Sequence, residues 1–167
     1  APKPHEAIID VAGGTGDIAL RILGRMGAAP AHPVVVCDIN AAMLNVVLVP
    51  VPCSAESGYH LPRREEIEKR ITEKTRALLV VNPNNPTGTV YTKKEMDMLV
   101  SVVKKHHLYL LSDEVYREYA YDGKSQTSLL SYVSEIPAQA IVLDSMSKRY
   151  NLCGARLGVL ISLNGDV

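Results

Sequence analysis

Short apolar runs alternate with stretches of helical period along most of the chain. Residues 7–12 (AIIDVA) read as a buried strand, and residues 13–16 (GGTG) as a turn. Residues 17–26 follow with Ile18, Ile22, Leu23 and Met26 on one helical face. Residues 33–38 (PVVVCD) predict a second strand, residues 39–45 a short helix, and residues 45–51 a third apolar run. A polar, Gly- and Pro-containing loop spans 52–62. A short helix is predicted over 63–71, where Ile67 and Ile71 lie four apart, and a strand over 76–81. Residues 82–88 (NPNNPTG) fit neither helix nor central strand, because proline lacks the amide donor. Thr92 and Glu95 have capping-box spacing, opening a helix whose Met96, Leu99, Val100 and Val103 share one face. Residues 108–112, 140–143 and 157–161 supply three further strands.

Alternation of this kind predicts an α/β fold: a three-layer α/β/α, doubly wound, Rossmann-like domain with a mostly parallel sheet of about seven strands. No linker divides the chain, so residues 1–167 read as a single domain. Ligands of such sheets sit outside the carboxyl ends of the strands. The unusual residues fall at those ends: 13–16 after the first strand, Asp38 after the second, 82–88 after the fourth, Asp113 after the fifth and 145–148 after the sixth.

Composition narrows the function. Lys+Arg 18 balance Asp+Glu 18, so no basic surplus points to nucleic acid or an anionic membrane. No apolar run is long enough to span a bilayer, and no signal peptide is visible. Phe and Trp are absent, which makes the expected core aliphatic. Cys37, Cys53 and Cys153 are scattered without C-x-x-C spacing, a poor pattern for zinc or a disulfide framework. A reducing, cytoplasmic setting and a small-molecule ligand fit best.

Taken singly, the candidate residues have ordinary structural explanations. Gly13, Gly14, Thr15 and Gly16 make a tight turn, or let backbone amides at a helix start approach an anion. Asp38 and Asp113 could cap helices, Asn85 could form a turn, Tyr116 could pack half-buried, and Lys148 could be a solvated surface lysine.

Two resemblances sharpen this picture. Residues 9–25 (IDVAGGTGDIALRILGR) and 34–44 (VVVCDINAAML) resemble the ubiquinone/menaquinone C-methyltransferases. That likeness implies S-adenosylmethionine, with Asp10, Gly14 and Gly16 facing its methionine part and Asp38 its ribose. From about residue 46 onward the chain resembles a class I/II (fold-type I) aminotransferase that depends on pyridoxal 5'-phosphate. The motifs are 82–88 (NPNNPTG), 112–116 (SDEVY) and 144–158 (DSMSKRYNLCGARLG), in the order that family uses. The likeness implies that Lys148 forms the Schiff base with the cofactor. It further implies that Asp113 pairs with the pyridine nitrogen, and that Asn85 and Tyr116 bond the ring's 3-oxygen. Ser145 and Arg156 would hold the phosphate, helped by Gly13, Gly14 and Thr15. Together the two resemblances imply a chimera, engineered rather than natural, joined near residues 44–47. Weak or no transamination is expected, because the family's substrate-gripping segments are not recognisable; an inactive fold scaffold is the alternative. Monomer and homodimer are equally open.

Overall fold

The computed structural model describes residues 33–35, 47–155, 157–165 and 167, with backbone alone for the strand at 33–35 and for Leu48. Six strands form one sheet: β1 (Pro33–Val35), β2 (Val47–Leu48), β3 (Ala77–Val81), β4 (Tyr109–Asp113), β5 (Ala140–Ser145) and β6 (Gly158–Ser162), in the order β2-β1-β3-β4-β5-β6. All pairs are parallel except β5–β6. The architecture is therefore α/β with a mixed, mostly parallel sheet, and its last strand runs antiparallel.

The β1–β3 contact decides a point of topology. The strands predicted over 33–38 and 76–81 pair directly with each other, Val34 with Ala77 and Val35 with Leu78. The strand predicted at 7–12 and the helices at 17–26 and 39–45 lie outside the described residues.

Period-two alternation sends side chains of β3, β4 and β5 to opposite faces, and both faces are buried. Leu78, Val80, Leu110, Ala140 and Val142 face the larger cluster, while Ala77, Leu79, Leu111 and Ile141 form a smaller one on the other side. The larger cluster is completed by helix α2 (Lys93–His106), whose Met96, Leu99, Val100 and Val103 are all buried. The predicted capping box opens this helix: the Glu95 amide donates to the Thr92 hydroxyl, and the Thr92 amide donates to Glu95 Oε2 at 2.7 Å. Glu95 reaches further than a cap. Its Oε1 accepts from the Leu61 amide at 2.8 Å and lies 3.0 Å from His60 Nδ1, tying the preceding loop to the helix start. At the other end Lys104, Lys105 and His106 face the negative pole of the helix dipole, and His107 (φ 53°) stops it in the left-handed region.

Helix α1 is shorter than its pattern, covering Arg64–Glu68 rather than 63–71. Beyond it Arg70 donates to Ile67 and Ile71 to Glu68, three residues back, so the tail tightens out of α geometry while Ile67 and Ile71 still reach the core. Strands β3 to β6 shift by one or two residues, and β2 covers only Val47–Leu48 of the apolar run at 45–51. Asp113 and Ser145 end β4 and β5 rather than following them.

Candidate functional site

Three strand ends meet at one edge of the sheet. Register places Val81 beside Asp113, and Asp113 beside Leu143. The segments leaving these strands therefore start side by side.

The segment after β3 is folded back on itself. The Asn84 amide donates to the Thr89 carbonyl at 2.8 Å, and the Gly88 amide to the Asn84 carbonyl at 2.9 Å. Gly88 (φ 71°) takes the left-handed conformation this reversal needs. Buried Asn82 anchors the loop, accepting from the Tyr91 amide at 3.0 Å. Asn85 is thereby held at an exposed tip, where its Nδ2 donates to Tyr116 Oη at 3.2 Å.

Tyr116 sits in the turn after β4. Asp113 fixes the start of this turn, its Oδ1 accepting from the Val115 amide at 3.1 Å. Glu114, fully buried, fixes the remainder. Its Oε1 accepts from Ser112 Oγ (3.0 Å) and the Leu129 amide (2.7 Å), and its Oε2 from Ser128 Oγ (2.6 Å) and Arg117 Nη2 (2.8 Å). The carboxylate so joins the turn to the 3-10 helix at Leu129–Tyr132.

Lys148 lies on the short helix α3 (Met146–Arg149), which continues β5 without a loop. Its Nζ is 5.7 Å from the centre of the Tyr116 ring. Tyr119 packs edge-on to Tyr116, with centroids 5.5 Å apart, and its hydroxyl donates to the Lys148 carbonyl at 2.9 Å. Ser145 is brought to the strand end, but its hydroxyl is engaged. Its Oγ accepts from the Ser147 amide as the cap of α3 (3.1 Å) and donates to the Leu157 carbonyl (3.1 Å).

Tyr116 is thus hydrogen-bonded to Asn85 and faced by the Lys148 amine, with Asp113 and Ser145 at neighbouring strand ends. Asp10, Gly13, Gly14, Thr15, Gly16, Asp38 and Arg156 lie outside the described residues. An amine, a carboxylate and two hydrogen-bonding groups at adjacent strand ends fit an anionic, carbonyl-bearing heterocycle. Among the described residues no cluster of His, Cys, Asp or Glu could hold a metal ion, and no helix is long and apolar enough to cross a membrane.

The aminotransferase class I and II family matches residues 26–167. The chain belongs to that family. The match takes in residues 34–44, so the aminotransferase pattern starts well before the junction expected near 44–47. Pyridoxal phosphate is the cofactor of these aminotransferases. An aromatic-amino-acid aminotransferase of Thermococcus litoralis is 40% identical over 112 residues, covering 67% of this chain and 28% of that protein. An aspartate aminotransferase of Bacillus sp. strain YM-2 is 32% identical over 121 residues, covering 72% of this chain and 30% of that one. The structure of a single mutant of the Thermus thermophilus aspartate aminotransferase superposes with TM-score 0.78 at 28% identity, over 91% of this chain and 40% of that chain. The chain spans about 30% of the length of the curated relatives it matches.

Several residues that shape the site were missed by sequence reasoning. Glu114 was legible only as part of an acidic pair after a strand. Tyr119 and Arg117 carry no signal of their own, and Asp144 and Arg149 lie inside the motif at 144–158 without a role implied by it, because their role comes from which strand ends become neighbours. Burial works against the charge on Arg149, but the Asp144 and Glu118 carboxylates outweigh it and raise its pKa above the ordinary arginine value. A groove of about 380 Å³ lies elsewhere, lined by Lys93, Asp97, Lys104, Tyr132 and Glu135 among others. None of the candidate residues lines it. Its polar groups satisfy one another, Tyr132 Oη donating to Asp97 Oδ1 at 2.6 Å and Lys93 to the same carboxylate at 2.8 Å.

Proposed function

We propose that this chain binds pyridoxal phosphate at the carboxyl end of its sheet, as the cofactor-holding part of an aminotransferase large domain formed by residues 1–167. The observation that carries the reading is that Tyr116 meets both Asn85 and the Lys148 amine. A hydrogen bond of 3.2 Å joins the first two, and the amine of the third lies 5.7 Å from the tyrosine ring. When bound, the cofactor supplies an electron sink that lowers the barrier to removing the α-proton of an amino acid. The residues do the rest. Lys148 supplies the amine that anchors the cofactor, and afterwards moves the substrate proton. Asp113 holds a proton on the pyridine nitrogen through its negative charge. Asn85 and Tyr116 bond the phenolic oxygen and orient the ring. Gly13, Gly14, Thr15, Ser145 and Arg156 hold the phosphate, Arg156 by a paired charge-assisted contact. Ser145 takes part by exchanging its bond to the Leu157 carbonyl for one to the phosphate.

Productive amino transfer also needs the substrate oriented in a closed site. With about 30% of the relatives' length, these residues alone should turn over slowly. The chain works in the cytoplasm, in keeping with its scattered cysteines. A fusion at the N-terminal side, engineered or natural, rests on the likeness of residues 9–25 to the methyltransferases, and predicts S-adenosylmethionine binding through Asp10, Gly14, Gly16 and Asp38.

Titration with pyridoxal phosphate, followed by its visible absorbance, tests the reading. Saturable binding is expected, with keto-acid formation from amino acids far below the ~1–1000 per second of natural enzymes. Absence of a saturable change overturns cofactor binding, and rates in the natural range overturn the slow-turnover reading. Calorimetry with S-adenosylmethionine tests the fusion separately, and no heat of binding removes it.

A further inference from the structure

Asp144 lies near the end of β5, next to Ser145, and belongs to none of the family's motif roles assigned above, yet it contacts both the helix that bears Lys148 and the turn that bears Tyr116. Its Oδ1 accepts from the Ser145 amide at 2.7 Å. Its Oδ2 accepts from Arg149 Nη2 at 2.8 Å, on the helix that bears Lys148, and lies 3.7 Å from Arg117 Nε, on the turn that bears Tyr116. The Asp144 side chain is only 12% exposed, which strengthens these charge contacts relative to surface pairs. The two arginines extend the chain outward. Arg117 Nη2 reaches buried Glu114 at 2.8 Å, and Arg149 Nε lies 3.2 Å from Glu118 Oε1. Five charged groups thus run from the end of β4, across the turn, to α3. Both Nε atoms are buried and form no hydrogen bond, so each guanidinium relies on Coulombic attraction at that atom to keep its place.

We propose that Asp144 is a positioning residue for the cofactor site, setting the placement of the Lys148 amine against the Tyr116 ring by holding Arg117 and Arg149 together. The proposal rests on the reading of Lys148 and Tyr116 as cofactor ligands, but the geometry it claims exists without cofactor. Two surfaces that do not share a backbone segment, the turn after β4 and helix α3, are clamped on one carboxylate oxygen. The same two surfaces are also joined by the Tyr119 hydroxyl on the Lys148 carbonyl and by the Arg149–Glu118 ion pair. Displacing a reacting group by about 1 Å costs on the order of a hundredfold in rate or trapping, so loss of the clamp should be felt at Lys148 rather than spread over the chain.

The test compares the parent chain with Asp144→Asn and Arg149→Met, in two arms. In the first, lysines are reductively methylated with labelled formaldehyde and the Lys148 methyl resonance is assigned by its loss in Lys148→Arg. The parent resonance is expected upfield of those of exposed lysines, shielded by the Tyr116 ring. Both variants should move it to the exposed-lysine position with unchanged far-UV circular dichroism. Should Asp144→Asn fail to fold, Arg149→Met, which leaves Asp144 paired with Arg117, carries the test. A parent resonance already at the exposed position, or a folded variant with the shift retained, overturns the proposal. In the second arm pyridoxal phosphate is trapped with borohydride, and labelling at Lys148 is expected to fall about tenfold in the variants while labelling at Lys104 stays unchanged. A ring shift that responds to Asp144 in a parent that never labels Lys148 keeps the clamp and removes the cofactor reading. Lys148-specific labelling that ignores Asp144 does the reverse.

Discussion

Replacing Glu114 by glutamine changes one atom in the most heavily hydrogen-bonded side chain near the site. An amide oxygen placed at Oε1 keeps the bonds from Ser112 Oγ and the Leu129 amide. The amide nitrogen then stands at Oε2, where Ser128 and Arg117 donate at 2.6 and 2.8 Å. Ser128 can rotate to accept, but Arg117 cannot, since a guanidinium has no acceptor. Losing a charge-assisted bond costs about 1.5–3 kcal/mol. Removing one partner of a fully buried pair costs about 3–5 kcal/mol, and the Arg117 side chain is 24% exposed, so water recovers part of its charge. A destabilisation of about 2–3 kcal/mol follows for Glu114→Gln. Glu114→Ala also strands the Leu129 amide and should cost about 4–5 kcal/mol, a large part of the ~5–15 kcal/mol typical of a domain. Urea unfolding followed by circular dichroism reads both. A Glu114→Gln midpoint corresponding to less than about 0.5 kcal/mol of change, the range of ordinary surface substitutions, would show that the Arg117 contact contributes nothing.

Other perturbations follow the same logic. Thr92→Ala removes half of the capping box and should cost about 1 kcal/mol, read as a lower thermal midpoint. Leu110→Ala, at a position with no exposed surface, should cost about 2–5 kcal/mol by transfer and cavity terms, measured by urea unfolding. Glu68 is pulled from 4.5 to about 2, chiefly by its bond from Lys105 and with help from Arg64 and His106. A depressed carboxyl stabilises the folded state fully above its unfolded value, and that contribution is lost as pH falls from 4.5 to about 2. The gap in thermal midpoint between parent and Glu68→Gln should therefore narrow over that interval, and a constant gap would contradict it.

The strand–helix alternation and the face of α2 were legible in the sequence because both rest on local periodicity. Met96, Leu99, Val100 and Val103 point one way at any α-helical geometry, and Thr92 with Glu95 needs only three residues to form its box. The contact between Asn85 and Tyr116 could be anticipated only through family likeness, since 31 positions separate them. Helix ends were less legible: whether residues after Glu68 continue as α or tighten depends on packing of Ile71, not on its spacing. Strand order was open for a related reason. An apolar run such as 33–38 carries no mark of its neighbour, and the direct pairing of β1 with β3 emerges only when the sheet is assembled. The cluster of Arg117, Asp144 and Arg149 was invisible because charged residues in a sequence default to solvent, and only the side-by-side ends of β4 and β5 bring them together.

Everything proposed for the site turns on Lys148 being the amine that carries pyridoxal phosphate. Incubation with the cofactor, reduction by borohydride and peptide mass spectrometry addresses this without intermediaries. Exposed Lys104 and Lys124 serve as internal controls for indiscriminate labelling. Modification of Lys148 in excess of both controls is expected, together with loss of saturable cofactor uptake in Lys148→Ala. Labelling of Lys148 no greater than that of Lys104 and Lys124, with uptake unchanged in Lys148→Ala, would contradict it.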